Sequence, residues 1–178
     1  DISSISDVLR YATLCSDGKV IVENGAEKHI GDPTETAIVA AARKAGLEKP
    51  ALDEAYPRLY EIPFDSDRKR MTTVHPIDGR TVVVVKGALD VLAARCVQDG
   101  LQDALRASEM LSGKALRVLA VAVKEIEALP EKPEDEQLER GLTLVGIVGM
   151  IDPARPEAKK AVEVCRQAGI KPVMITGD

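Results

Sequence analysis

Residues 141–178 constrain the fold more than any other part of the sequence. The apolar segment 142–151 predicts a buried β-strand, and a proline-punctuated segment, Asp-Pro-Ala-Arg-Pro, follows it at 152–156. A helix and a second strand are expected next, and that strand ends on Thr-Gly-Asp at 176–178. Open α/β sheets place their ligands at the carboxyl ends of their strands. The sequence therefore stops at the edge of an expected binding crevice, and we expect it to be a piece of a larger protein.

Length and composition limit the class of protein. The 178 residues can hold one ordinary domain, or one domain and a fragment of a second. With 45% hydrophobic and 30% charged residues the chain is of globular type. Its net charge of −5 gives no overall field that would attract nucleic acid, so we expect no nucleic-acid partner.

Cysteine usage and hydropathy restrict the setting. Cys15, Cys96 and Cys165 are scattered and in no Cys-x-x-Cys spacing, which suits a reducing compartment and argues against a disulfide framework or a zinc site. No apolar run approaches the roughly 18 residues that cross a bilayer. The first residues also lack the basic start and apolar core of a signal peptide. We therefore expect no membrane insertion by this chain itself.

The strands come largely as hairpins. Asn24-Gly25 predicts a tight turn within 20–30, and a second hairpin is expected over 72–85. Apolar spacing at 5–15 predicts a helix. Further helices are expected at 33–45, 88–96 and 101–111, and further strands at 59–63, 116–123 and 142–151. The predicted fold class is α/β, with a mainly antiparallel central sheet flanked by helices and a short α/β fragment at the end.

Two proline-containing segments compete as domain boundary. Residues 129–140 are rich in proline and glutamate and predict an exposed loop, because an apolar strand follows at once. The two prolines within 152–156 restrict φ and predict a semi-rigid hinge. We therefore divide the chain into a domain at 1–151, a hinge at 152–155 and a tail at 156–178. The tail is half of a βαβ unit, and we expect it to be less well ordered or to pack against a neighbour.

Familiar catalytic and nucleotide-binding motifs are absent from the sequence. It has no Gly-x-x-x-x-Gly-Lys-Ser/Thr, no Gly-x-Ser-x-Gly and no His-Glu-x-x-His, and Gly146 and Gly149 fall inside a predicted strand. His29 and His75 stand alone and are expected at strand ends. Walker-type, Rossmann and common hydrolase sites are therefore disfavoured.

Several short polar motifs remain, each open to a structural and a functional interpretation. Asp32 and Glu35, on either side of Pro33-Thr34, predict a variant capping box at the start of a helix. Phe64, the only phenylalanine in a chain without tryptophan, is either a core residue or an exposed ring on which a purine can stack.

The cations are equally ambiguous when each is taken alone. Arg68, Lys69 and Arg70 predict either a solvated turn or the positive wall of an anion site. Lys86 follows four consecutive valines, so its stem can pack while its ammonium emerges at the strand end. Arg117 lies in an apolar run and must face solvent or an anion.

Taken together and in this order, the motifs resemble the nucleotide-binding (N) domain of P-type ATPases, most nearly its calcium-pump branch. The segments that carry the resemblance are 31–37, 64–71, 86–88, 115–120 and 146–155, and 174–178 resembles the start of the phosphorylation (P) domain. The resemblance identifies 1–151 as the N domain, 152–155 as the hinge and 156–178 as the beginning of the P domain.

The resemblance also implies a binding site for ATP. Phe64 would stack on adenine, Glu35 would hydrogen-bond near its amino group, and Lys86 would line the bottom of the pocket. Met71 and Leu119 would supply apolar wall. The full set of implied ATP-site and hinge residues is Glu35, Phe64, Arg68, Lys69, Met71, Lys86, Gly87, Arg117, Leu119, Asp152, Arg155, Thr176, Gly177 and Asp178.

Within that set, Arg117, Arg68 and Lys69 would meet the phosphates. Asp152 and Arg155 would bound the hinge that swings ATP toward the P domain. Thr176, Gly177 and Asp178 would belong to the phosphate side.

The resemblance further implies an enzyme of which this chain supplies only part. The phosphorylated aspartate of the family lies in Asp-Lys-Thr-Gly-Thr, and Mg²⁺ is placed by Gly-Asp-Gly-x-Asn-Asp, and neither string occurs here. We therefore expect no catalytic residue and no metal ligand in this chain, which would bind Mg-ATP without turnover. Ser66 and Ala154 depart from the common pattern, implying fewer phosphate contacts and a looser hinge.

The implied partners are ATP and the remaining P, actuator and transmembrane domains of one pump, with this domain on the cytoplasmic side of a membrane. Calcium is the expected ion by family likeness alone. Two alternatives stay open: a free-standing nucleotide-binding or regulatory module, and a fragment of a haloacid-dehalogenase-type phosphatase. The second needs an aspartate nucleophile after the first strand, whereas residues 1–15 predict a helix.

Overall fold

A computed structural model of the chain describes residues 2–97, 101–152, 155–173 and 175. The helices are α1 (Ile2–Leu14), α2 (Pro33–Lys44), α3 (Lys49–Ala55), α4 (Leu89–Ala93), α5 (Leu101–Ser112), α6 (Asp135–Leu138) and α7 (Pro156–Gln167). The strands are β1 (Lys19–Glu23), β2 (Ala26–Ile30), β3 (Tyr60–Asp65), β4 (Arg70–Ile77), β5 (Arg80–Gly87), β6 (Arg117–Ile126) and β7 (Thr143–Met150). Among the described residues, no helix has both the length and the hydropathy needed to span a bilayer.

A five-stranded antiparallel sheet forms the centre of the fold. Its order, β3-β4-β5-β6-β7, follows the chain, and β1 and β2 form a separate two-stranded hairpin. The valine run of β5 explains why both faces of the sheet are covered. Val82 and Val84 pack with α1 residues on one face, while Val83 and Val85 pack with α4 residues on the other. The predicted α/β class with an antiparallel sheet flanked by helices is confirmed.

Both predicted hairpins are present, and their turns follow from local chemistry. Asn24 and Gly25 have φ of 53° and 80°, and Asp78 and Gly79 have φ of 49° and 78°. Two successive residues with positive φ match the twist of the flanking strands. The second turn is shorter than expected, because Pro76 and Ile77 still belong to β4.

Three details of the fold differ from the sequence expectations. His75 lies inside β4, 1% exposed, and not at a strand end. The segment 129–140 is not simply an exposed loop, because it contains α6 and ends in the buried pair Leu138 and Glu139. Helix α3 had not been predicted; a proline in its first turn, Pro50, is compatible with a helix start.

The tail forms only part of the expected βαβ half-unit. Helix α7 is present, but residues 170–173 and 175 belong to no strand. Val173 and Ile175 are 74% and 93% exposed, and no strand of the described chain pairs with them. A β-strand needs a hydrogen-bonded neighbour, so the apolar sequence alone does not produce one here. The rest of the predicted strand, Met174 and 176–178, lies outside the described residues.

Candidate functional site

A cavity of about 550 Å³ opens where α2, the β3–β4 turn and the adjoining ends of β5 and β6 meet. This volume lies within the range of small-molecule sites, about 300–1,000 Å³. Its lining combines an aromatic ring, apolar side chains and charges of both signs. The lining residues are Asp17, Asp32, Thr34, Glu35, Phe64, Lys69, Met71, Lys86, Gly87, Ala88, Arg117, Val118 and Leu119.

A buried ion pair forms one side of the cavity. Lys86 is 5% exposed, and its Nζ donates to Glu35 Oε1 at 2.8 Å and to Ser16 Oγ at 2.7 Å. The ammonium did not emerge at the strand end as expected; it is buried because these two oxygens compensate its loss of water. An ammonium has three N–H donors, so this pairing uses two of them and leaves one for a bound molecule.

The segment after α1 binds the second oxygen of the Glu35 carboxylate. Glu35 Oε2 accepts hydrogen bonds from the backbone amides of Asp17 at 2.8 Å and Gly18 at 3.0 Å. The guanidinium of Arg58 holds the same segment by donating to the Ser16 carbonyl at 3.2 Å. The orientation of Glu35 is therefore set by groups far from it in sequence.

Asp32 caps α2 as expected, but the reciprocal half of the predicted capping box is absent. Asp32 Oδ1 accepts from the amides of Thr34 and Glu35 at 2.8 and 3.4 Å. Burial would raise the pKa of Asp32, but these hydrogen bonds and the charge of Arg117 lower it below its usual value. The Glu35 side chain is engaged by Lys86 and by the segment after α1, so it serves the cavity and not the cap.

Phe64 is exposed, so the interpretation of this ring as a core residue is wrong. Its side chain is 64% exposed at the end of β3 and lines the cavity. The register between β3 and β4 shifts between Ile62 and Asp65, and such irregularities re-aim side chains. An exposed ring beside a cavity offers a face on which a planar ligand can stack.

The turn after Phe64 places Lys69 on the cavity. Asp65 Oδ1 accepts from the amides of Asp67 and Arg68, each at 2.9 Å, and Lys69 has φ of 52°. Gly87 on β5 permits the close approach of this turn, because a Cβ at Gly87 would lie 2.4 Å from the Lys69 carbonyl oxygen.

The two arginines beside Lys69 do not line the cavity. Arg70 is 7% exposed and its Nε donates to Glu139 Oε2 at 2.5 Å. Arg68 Nη2 donates to the other oxygen of the same carboxylate. The expectation of a solvated turn is therefore wrong for Arg70. Arg68, for which the resemblance implies a phosphate contact, is paired with Glu139.

The remaining wall combines Arg117 with apolar side chains. Arg117 begins β6, faces solvent, and donates from Nη1 to Thr34 Oγ1 at 3.2 Å. Met71, 1% exposed, and Leu119 provide apolar surface.

The structure brings together most of the predicted site. Asp152 and Arg155 are described but do not line the cavity; Arg155 is the N-cap residue of α7. Thr176, Gly177 and Asp178 lie outside the described residues. In the described part of the chain, no group of three or more His, Cys, Asp or Glu side chains is arranged to hold a metal ion.

Several lining residues were not assigned to the site from the sequence. Asp17 had no role, and Thr34, Ala88 and Val118 were quoted only as members of motifs. Thr34 and Ala88 stand next to residues that were singled out, which is the signal that could have found them. Nothing in the sequence marks Asp17, which reaches the cavity through the fold.

Comparison with known proteins identifies the family of this chain. The family model for the cytoplasmic domain N of P-type ATPases matches residues 4–157. The calcium-transporting ATPase of Bacillus subtilis is 41% identical over 188 aligned residues, which cover 98% of this chain and 21% of that protein.

Two further relatives have similar values. The cation-transporting ATPase pma1 of Synechocystis is 40% identical, covering 98% of this chain and 20% of its own length. Calcium-transporting ATPase 1 of Bacillus cereus is 38% identical over an alignment that covers 96% of this chain and 20% of that protein. The chain spans about a fifth of the length of these curated relatives. The resemblance drawn from the motifs is thus confirmed, and the chain belongs to the family of cytoplasmic N domains of P-type ATPases.

Proposed function

We propose that this chain binds ATP for a cation-transporting P-type ATPase, holding the adenine and presenting the γ-phosphate to an aspartate in another part of the pump. The observation that carries the proposal is the cavity, whose lining includes an exposed aromatic ring, a buried Lys–Glu pair and exposed cations. No other described feature combines these groups in one concave surface.

The base end of the proposed site is complementary to a purine. Phe64 offers a ring face, and stacking of a base on an aromatic side chain is worth about 1–3 kcal/mol. Glu35 supplies a carboxylate acceptor and Lys86 a spare N–H donor on the same wall. Adenine carries both an amino donor and ring-nitrogen acceptors, so it can satisfy both groups. Met71 and Leu119 would cover its apolar surface.

The phosphate end of the proposed site is cationic although the chain is acidic overall. Lys69 and Arg117 both line the cavity, and within the described chain neither is held by a buried carboxylate. A local concentration of cations steers a polyphosphate even when net charge is −5. Bound Mg-ATP would supply the transferable phosphoryl group, while the phosphorylated aspartate and the magnesium ligands are proposed to lie elsewhere in the pump.

The remaining proposals concern the whole pump, because the chain covers about a fifth of its relatives. We propose that 152–155 is the hinge, that 156–178 begins the P domain, and that P, actuator and transmembrane domains are the physical partners. Calcium is the proposed ion, because two relatives named calcium-transporting ATPases, from Bacillus subtilis and Bacillus cereus, are 41% and 38% identical to this chain over the aligned residues. The proposed location is the cytoplasmic side of a membrane, in line with the family description.

The test is a calorimetric titration of the 178-residue chain with ATP, repeated with Phe64→Ala. We expect saturable binding by the wild type, an affinity about five- to 150-fold weaker in the variant, and no phosphate release by either. Met110→Ala is the matched control, because Met110 is similarly exposed, at 68%, but lies on α5 and does not line the cavity. Absence of saturable binding would refute the function, and equal affinities of wild type and Phe64→Ala would refute the stacking role.

A further inference from the structure

Glu139 is a fully buried carboxylate in a segment whose composition predicts exposure. Its side chain is 0% exposed and accepts three side-chain hydrogen bonds, from Arg68 Nη2, from Arg70 Nε at 2.5 Å and from Thr72 Oγ1 at 2.6 Å. Burial of a carboxylate is tolerated only when such partners replace water. All three partners come from one short stretch, the β3–β4 turn and the first residues of β4.

The same stretch supplies the cavity with side chains on its other side. Successive side chains of a strand point to opposite faces, so Arg70 and Thr72 face Glu139 while Met71 between them lines the cavity. Phe64, in β3 just before the turn, and Lys69, the last residue of the turn, both line the cavity. Glu139 therefore holds this segment by hydrogen bonds from the face opposite to the cavity.

The turn depends on contacts from outside, because its own conformation is unfavourable. Lys69 has φ of 52°, a backbone region in which a residue with a Cβ is uncommon. On one side, the Lys69 carbonyl accepts from the amide of Ala88 at 3.1 Å. On the other side, Arg70 Nη1 donates to the Arg68 carbonyl at 3.0 Å while its Nε is held by Glu139.

We propose that Glu139 is a positioning residue of the nucleotide site, which acts through Arg68, Arg70 and Thr72 to fix the turn that carries Phe64 and Lys69. The inference rests on the function proposed above. Glu139 follows α6 and does not itself line the cavity. In this proposal it determines the positions of the Phe64 ring and the Lys69 ammonium. Arg68 then has a role in this turn instead of direct contact with phosphate.

The test compares Glu139→Gln with a matched control, Glu136→Gln, in the 178-residue chain. Glu136 comes from the same segment and also pairs with two arginines, Arg95 and Arg140, which lower its pKa to about 2. Within the described chain Glu136 contacts Arg95 and Arg140 and not the turn, so its replacement removes a carboxylate charge and two ion pairs without touching the turn. Should Glu139→Gln not fold, Glu139→Asp keeps the charge but withdraws it by one methylene and serves the same comparison.

Two measurements are made on each variant. In the ligand-free chain, the ring resonances of Phe64 and the amide resonances of Phe64 and Lys69 are expected to shift in Glu139→Gln and not in Glu136→Gln. In titrations with ATP, Glu139→Gln is expected to bind about three- to 30-fold more weakly, a loss inside the roughly two- to 160-fold range of couplings within one hydrogen-bond network. The loss of ATP affinity caused by Glu139→Gln should be smaller in the Phe64→Ala background, because the ring that Glu139 positions is then absent. If Glu139 had a purely structural role, the affinity losses of Glu139→Gln and Phe64→Ala would multiply in the double variant.

The outcomes separate the two proposals. A wild type that does not bind ATP would refute the proposed function and the nucleotide role of Glu139 together. A wild type that binds, beside Glu139 variants of unchanged affinity or unshifted Phe64 and Lys69 resonances, would overturn the inference about Glu139 alone.

Discussion

Gly87 is the residue at which a single methyl group should do most damage to the cavity. An added Cβ would lie 2.4 Å from the Lys69 carbonyl oxygen and 2.7 and 2.9 Å from Arg70 Cβ and Cα. Ordinary contacts of a Cβ begin at 3.4 Å, so the turn and β5 would have to separate by about 1 Å. The atoms met are mostly backbone and cannot rotate away.

Gly87→Ala should therefore lower both stability and nucleotide affinity. Overpacking of a dense region costs about 1–3 kcal/mol, and each kcal/mol corresponds to roughly 2–4 °C in a chain of this size. Separation of the turn from β5 would also lengthen the 3.1 Å bond between the Ala88 amide and the Lys69 carbonyl. We expect a Tm lower by roughly 2–12 °C and ATP binding weaker by about tenfold, equivalent to about 1.4 kcal/mol.

The assay is thermal unfolding followed by circular dichroism, together with calorimetric titration at a temperature where every variant is folded. Gly146→Ala on β7 is the control, because its Cβ would meet Val8 Cγ2 at 2.6 Å, the end of a side chain that can move, away from the cavity. That variant should lose some stability and keep its affinity. A Gly87→Ala chain with wild-type Tm and wild-type ATP affinity would refute the account of the close approach.

Two further predictions concern buried titratable groups. Burial lowers the pKa of His75 below its usual 6.5, so below that pH the unfolded chain binds a proton that the folded chain does not. The free energy of unfolding should therefore decrease as the pH falls from 7 to 5.5, by up to about 1.3 kcal/mol. Urea unfolding at pH 7 and 5.5 should show this loss reduced in His75→Gln; equal losses would contradict it. Burial likewise raises the pKa of the Cys15 thiol, so iodoacetamide at pH 8 should label Cys165 in the folded chain and leave Cys15 unmodified, as peptide mass mapping would show, with urea-unfolded protein as the control. Rapid labelling of Cys15 without urea would be inconsistent with its burial.

Local chemistry allowed much of the fold to be predicted. Asn24 and Gly25 both tolerate the positive φ that a tight hairpin turn requires, so the hairpin follows from a short-range preference. The same holds for Asp32, whose side chain satisfies amides two and three residues ahead. The valine run of β5 predicts a strand buried on both faces, which is what its neighbours then provide.

The sequence could not reveal partners that the fold brings from far along the chain. Glu139 meets Thr72 across 67 residues and Lys86 meets Ser16 across 70. No periodicity or turn preference encodes such a pair, and a glutamate in a charged segment is normally solvated. For the same reason the partner of Arg70 was missed, and so were the partners of Glu35 in Lys86 and in the segment after α1.

The position of β3 at the edge of the sheet has a consequence for self-association. An unpaired edge offers its N–H and C=O groups to a second chain, and an exposed phenylalanine there adds an adhesive apolar face. Pro63, immediately before Phe64, has no N–H to offer, and the irregular register of this strand opposes a flat pairing with another edge. These two features disfavour pairing of β3 with the edge strand of a second copy, although the exposed Phe64 ring lies on the same strand.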